Sequence, residues 1–428
     1  MPHDLTSRSA GPRGGDGPLG PSREARARRG PRRALWASCA VVLLGVAAVY
    51  LVSGMARNLF VVGPGYTNRL GNAVNTDFTA FYAAAELARQ GRSREVYDID
   101  ALHRAHEEVR GIAIHRKYAW AYPPTMLLLL LPLASMPLVV AMWTWLIGTT
   151  AVVCLAAYRV VPSALTPLVV VLYPGLATSW FTGPTGTFSA AVAMLGLALL
   201  DRAPYVAGSV LGLLSVKPHL AVLIPLCLLA SGRRQALVAC VGAAAAMMVA
   251  SVAVFGIGPW MDLRLALPRH MDYLATEQGV WMRMPTPFVA IRHATGSATL
   301  AWWGQLATTA LCLGGCIWVW RRNRDGYARA LALCASIPLV APYAYDYDTS
   351  VLIAPLIYGI RNVLDAPSAG AHEAGTLVLL WVLPLAVWLG SAALGQQIGP
   401  LLLAILLMEA LRSTRSGPRA IPASARMA

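Results

Sequence analysis

Asp77 heads the stretch Asp77–Gln90 (DFTAFYAAAELARQ), a run of helical composition that stops at Gly91. A carboxylate there can take a proton from a hydroxyl as a general base. It can equally cap the helix, since Asp is favoured at the N-cap, and the sequence leaves both readings open. Lys217 is one of two lysines beside 33 arginines, and it stands in Lys217-Pro218-His219 between two apolar runs. Such a lysine either snorkels its ammonium to an interface or acts as a point charge on a phosphate, with His219 adding a hydrogen bond. Arg283, Arg292 and His293 surround Pro285-Thr286-Pro287-Phe288 and are further candidate anion ligands. In Pro342-Tyr343-Ala344-Tyr345-Asp346-Tyr347-Asp348 the tyrosines fit an interfacial aromatic belt, while Asp346 and Asp348 suit sugar hydroxyls or, with Asp77, a metal. A single acid rather than a pair heads the first segment, which favours no metal. His103, His106 and His115 read as solvated loop residues.

The elements that must position these groups are set by composition. The chain has 428 residues, 57% hydrophobic and 13% charged. Soluble domains carry roughly 25% charged residues, so disorder, collagen-like repeats and ordinary cytosolic folds are excluded. A membrane span takes about 20 apolar residues, and the pattern predicts an all-α polytopic membrane protein of 11–13 transmembrane helices. The net charge of +15 is concentrated at the ends: eight arginines lie in residues 1–33 and four in 412–428. Basic residues stay on the cytoplasmic side, and no aromatics interleave with these runs as single-stranded nucleic-acid binding requires. The charge therefore reads as topology, with no nucleic-acid partner. The seven cysteines lie in apolar runs and suggest packing rather than a disulfide framework.

Residues 1–33 form a basic cytoplasmic arm, residues 34–411 the membrane domain with an uncleaved first span over 34–53, and residues 412–428 a basic cytoplasmic tail. Long outer loops are expected at 54–120, 256–297 and 342–348, the first carrying two amphipathic helices near 77–90 and 102–109. The stretch 122–158 is too long for one span, and Pro132 and Pro137 split it. Twelve of the twenty acidic residues fall in the three loops assigned to the outer face. Charges are costly inside a bilayer, so that face is the candidate active face.

Four segments together resemble glycosyltransferase family 87: Asp77-Phe78 with Phe81-Tyr82, Gly91 and Tyr97-Asp98; Tyr122-Pro123-Pro124 with Pro132-Leu133-Ala134 and Pro137; Lys217-Pro218-His219 ahead of Gly232-Arg233-Arg234; and the Pro342–Asp348 segment. The turn Gly183-Pro184-Thr185-Gly186 departs from the Gly-Gln pair often found there in the family. The resemblance implies a GT-C fold and an inverting transfer of mannose, or of arabinofuranose, from a polyprenyl-phosphate donor to an envelope glycolipid or glycan. It implies Asp77 as catalytic base and Lys217, His219, Arg283, Arg292 and His293 as donor-phosphate candidates. Tyr82, Tyr122, Tyr345, Asp346 and Asp348 are candidates for sugar or acceptor contacts, and no cofactor is implied. The membrane is the plasma membrane, with both termini cytoplasmic. A transporter or lipid-linked sugar flippase is the alternative, but such proteins place charges near mid-membrane in related halves, a repeat this sequence lacks.

Overall fold

A computed structural model describes residues 43–55, 63–68, 74–114, 117–182, 185–276, 280–323, 325–365 and 371–414. The basic arm, residues 34–42, His115, Gly183-Pro184, Arg324 and the tail beyond residue 414 lie outside the described residues. The chain divides into two compact units, 1–46 and 47–428, and the site lies wholly in the second.

The helices in chain order are α1 (Leu43–Met55), α2 (Thr76–Arg89), α3 (Ile99–Arg110), α4 (Pro124–Leu130), α5 (Leu138–Val160), α6 (Thr166–Leu172), α7 (Pro174–Thr182), α8 (Thr185–Leu199), α9 (Pro204–Gly212), α10 (Pro218–Ala221), α11 (Leu223–Ala230) and α12 (Arg234–Phe255). They continue with α13 (Gly258–Thr276), α14 (Pro287–Thr295), α15 (Ala298–Arg322), α16 (Gly326–Val340), α17 (Ile353–Asp365), α18 (Ala371–Leu394) and α19 (Gly399–Ser413). Two tight 3₁₀ turns matter for the site, Val280–Arg283 and Asp346–Leu352. Among the described residues the only β feature is an isolated bridge between Gly63 and Thr67.

The protein is thus all-α and membrane-spanning, as its composition requires. Among the described residues, four helices are long and apolar enough to cross a bilayer: α5, α12, α15 and α18. Six shorter apolar segments accompany them: 43–55, 124–135, 185–199, 204–216, 218–230 and 326–340. Several of the expected spans are broken by Pro and Gly into short pieces. The stretch 122–158 shows how. Helix α4 tightens into a 3₁₀ turn over Leu131–Ser135, and Met136 is extended. A new helix, α5, then starts after Pro137. The first piece is too short to cross alone at about 1.5 Å per residue, so only α5 is a full span. On α12, Val238, Val241, Val249 and Val254 are exposed, the pattern expected where lipid rather than water is the solvent.

The segment between residues 74 and 114 is more deeply packed than its composition suggests. Helix α3 is amphipathic, with Leu102, Ala105 and His106 turned inward. Helix α2 is instead buried on most sides, Ala83, Ala84 and Ala85 being fully enclosed. It packs against α3 and the 131–135 turn. His106, expected in solvent, is 1% exposed and joins the two helices through a 2.6 Å hydrogen bond between its Nε2 and Thr79 Oγ1. Its Nδ1 has no hydrogen-bond partner among the described residues. Helix α3 brings this ring under Tyr118, edge-on at 5.3 Å. Burial, with Arg110 and His103 adding to it, lowers the imidazole to about 3.

This predicts a pH dependence. The unfolded chain binds a proton at His106 near its ordinary value, whereas the folded one stays neutral to about pH 3. The contribution is complete above about pH 6.5 and is lost progressively as pH falls toward the folded value, because the unfolded state then binds more protons. The thermal midpoint of the detergent-solubilised protein should fall between pH 7 and pH 4, and His106→Gln should flatten that slope. A slope unchanged by the substitution would assign the acid sensitivity to other groups.

Candidate active site

A cavity of about 330 Å³ opens where α2, the extended segment 117–123, the break before α10, helix α13 and the Pro342–Asp348 segment meet. That size is at the lower end for small-molecule sites. Asp77, Tyr122, Lys217, His219, Arg283, Tyr345 and Asp348 all line it, although up to 271 residues separate them in sequence. Leu102, Leu263 and Leu267 give it an apolar side.

Asp77 does not cap α2. The cap is Asn75, whose side chain accepts a hydrogen bond from Phe78 N. Asn75 takes a left-handed backbone, φ 41°, a conformation that Asn tolerates better than most residues. Its Nδ2 also donates to the Trp180 carbonyl at 2.9 Å, tying the start of α2 to α7. Asp77 therefore sits in the first helical turn, half-buried on the cavity wall. Its charge is felt by the Arg283 guanidinium and the Tyr347 hydroxyl. The sequence offered no reason to prefer Asn75 over Asp77 as the cap, because both types cap equally well.

The two cations are held by two acids of one turn. Arg283 Nε and Nη2 each donate to Asp346 at 3.0 Å, a bidentate pair. Lys217 Nζ donates to Asp348 Oδ1 at 2.6 Å and to Thr185 Oγ1 at 3.0 Å. The rings of Tyr347 and Tyr122 lie 5.0 and 5.7 Å from the ammonium, within cation–π range. Burial disfavours the Arg283 charge, but Asp346 and Asp77 outweigh it and raise the group above its ordinary value. Lys217 is enclosed, its side chain 2% exposed, so the snorkelling reading is overturned: the ammonium faces inward to a buried carboxylate. Arg283 keeps 25% of its side chain exposed and is the more accessible cation.

The remaining oxygens of the acids are also engaged. Asp348 Oδ2 accepts from Tyr345 N at 3.1 Å, and Asp346 Oδ1 accepts from Tyr347 N at 2.8 Å. In this arrangement Asp346 and Asp348 hold the two cations. Among the described residues no group of three or more His, Cys, Asp or Glu side chains gathers as a metal site. The 346–352 turn is itself anchored to α7, where Ser350 Oγ meets Ser179 Oγ at 2.6 Å and donates to Gly175 O at 2.7 Å. Gly186 in α8 lets the turn approach, since a Cβ there would run into Ser179 Oγ and the Tyr347 carbonyl. Thr185 and Gly186 of the atypical turn thus contribute a Lys217 partner and a close contact.

Other candidates fall elsewhere. The Tyr82 hydroxyl donates to the Met136 carbonyl at 2.7 Å and does not line the cavity. His293 is exposed, stacked on Trp281 at 3.7 Å with Nε2 3.2 Å from the Gly395 carbonyl. Arg292, one residue before it on α14, is also absent from the cavity wall. Of the three candidates Arg283, Arg292 and His293, only Arg283 lines the cavity. Lys117, not singled out from sequence, lines the cavity and pairs with Asp100 at 2.5 Å.

No curated protein and no solved structure matches this chain. The family model described as Glycosyltransferase family 87 matches residues 120–342, more than half of the chain. The matched region includes Tyr122, Lys217 and Arg283, while Asp77, Asp346 and Asp348 lie outside it. An all-α membrane fold, a cavity joining a carboxylate to two cations, and this match agree: the chain belongs to glycosyltransferase family 87.

Proposed function

We propose that this membrane glycosyltransferase transfers mannose, with arabinofuranose as the second candidate, from a polyprenyl-phosphate donor to an envelope glycolipid or polysaccharide. The observation that carries the reading is one cavity holding the Asp77 carboxylate together with Lys217 and Arg283. Transfer needs a base for the acceptor hydroxyl and positive charge for the departing phosphate. Asp77 takes the hydroxyl proton as the acceptor oxygen bonds to the anomeric carbon from the face opposite the phosphate. The bond from that carbon to the phosphate oxygen breaks, and its electron pair leaves with the polyprenyl phosphate. The phosphate goes from one negative charge to two, and the exposed edge of Arg283 and the fixed charge of Lys217 stabilise the gain. Displacement from the opposite face inverts the anomeric centre. The apolar side of the cavity, with Leu263 and Leu267, suits the first isoprene units of the donor.

A transfer assay in membranes with radiolabelled polyprenyl-phosphate mannose and polyprenyl-phosphoarabinose tests the proposal. Labelled product with a new glycosidic bond from either donor supports it. Movement of intact donor across vesicles without bond formation would replace it with a flippase.

The site belongs to the outer face of the plasma membrane in this proposal, with both termini cytoplasmic. Cysteines introduced singly at Asp77, Arg94 and Arg283, in a chain freed of its native cysteines, should react with an impermeant maleimide in intact cells. Introduced at Arg233 or Arg321, they should react only after permeabilisation. The reverse pattern would move the site to the cytoplasmic face.

A further inference from the structure

The turn between α18 and α19 lies outside the family match, yet it grips the segment that presents Arg283. Gln397 is 5% exposed and uses its whole amide. Its Nε2 donates to the Trp281 carbonyl at 2.9 Å and to the Met282 carbonyl at 3.0 Å. Its Oε1 accepts from Ser391 Oγ at 2.9 Å and from Gly399 N at 2.8 Å. A primary amide has two donor protons and an oxygen with two lone pairs, so each is matched. The two carbonyls belong to the residues immediately before Arg283, and fixing their peptide planes fixes where the next side chain starts.

Two neighbouring contacts bear on the same segment. A Cβ on Gly399 would collide with Pro285, so the start of α19 lies directly against the residue two beyond Arg283. The Trp281 ring stacks on His293, whose Nε2 meets the Gly395 carbonyl of the same turn. Arg283 itself ends a four-residue 3₁₀ turn, and its bidentate geometry toward Asp346 tolerates little rotation.

We infer that Gln397 is a positioning residue of the transfer site: it acts through Arg283, holding the guanidinium against Asp346 and toward the donor phosphate. The inference rests on the proposed role of Arg283 for its kinetic part only.

The test uses Gln397→Glu, which keeps the shape and the acceptor for Ser391 and Gly399 but has no proton for the Trp281 and Met282 carbonyls. The first readout needs no activity. In full-length protein freed of native cysteines, Arg283→Cys and Asp346→Cys are linked by a short bifunctional thiol reagent, and the accessible pair Arg94→Cys with Asp262→Cys serves as control. Gln397→Glu should slow linking of the first pair at least fivefold and leave the control unchanged. The second readout is transfer kinetics. The donor KM should rise severalfold more than kcat falls, and the effect should vanish when Arg283→Ala is already present. An unchanged 283–346 linking rate, or equal slowing of both pairs, overturns the inference. A slowed first pair in a protein that transfers no sugar from either polyprenyl-phosphate donor would leave the positioning intact and remove the proposed function.

Discussion

Replacing Asp77 by Asn should reduce sugar transfer by at least a hundredfold while leaving the protein folded and able to bind donor. Positioned general bases contribute roughly 10²–10⁴-fold, and a hundredfold is about 2.7 kcal/mol of barrier. The folded state should feel the change little. The α2 N-terminus is capped by Asn75, not Asp77, so no cap is lost. The attraction between an acid in the first turn and the helix dipole contributes about 0.3–1 kcal/mol, small beside the expected loss of rate. Asn is also close to Asp in size, so the cavity wall keeps its shape. Yield, thermal midpoint and donor affinity should match wild type, with the deficit confined to the chemical step in a single-turnover assay. Near-wild-type transfer would remove Asp77 as the base. Equal loss of donor binding and transfer would instead recast its charge as part of the Arg283 environment.

Much of the fold could be read directly from the sequence, because apolar runs and their breakers act locally. The predicted helix at 77–90 forms at Thr76–Arg89, and Gly91, in the left-handed region at φ 77°, ends the turn that follows it. The site was legible in its residue types but not in its pairings. Asp77, Lys217, Arg283 and Asp348 were visible as charges in an apolar chain, and the cavity gathers them. That Lys217 turns inward to Asp348, 131 residues away, depends on how α8, α10 and the 346–352 turn pack, and no local pattern encodes it. The same holds for His106, polar by type yet enclosed between α2 and α3. Arg283 and Arg292 were indistinguishable by type. They differ only because the Val280–Arg283 turn is drawn to the cavity while α14 points its basic end elsewhere. Gln397 gave no signal, since Gln396-Gln397 between two apolar runs look like any polar turn residues.

The Lys217–Asp348 pair predicts a separation of stability from activity. Both side chains are almost wholly enclosed, 2% and 1% exposed. Lys217→Ala leaves the Asp348 carboxylate buried without its cation, and breaking a buried pair from one side costs about 3–5 kcal/mol. That variant should accumulate poorly and unfold at a markedly lower temperature in detergent, so its low activity alone says nothing about catalysis. Removing both charges gives a different result. In Lys217→Met with Asp348→Asn the buried ions are gone, and such replacements are often neutral or stabilising by about 1–4 kcal/mol. The side-chain oxygen of Asn can still accept from the Tyr345 amide, as Asp348 Oδ2 does. The doubly substituted protein should therefore regain most of the midpoint lost in Lys217→Ala. Transfer should not return, because the departing phosphate then gains its second charge without the Lys217 ammonium beside it. Removing one preorganised group of this kind costs about 10²–10³ in kcat. If the double variant recovers both stability and transfer, the pair is structural and the phosphate charge rests on Arg283. If Lys217→Ala is as stable as wild type, Asp348 does not depend on that ammonium, and the buried pair is not the hinge of the site.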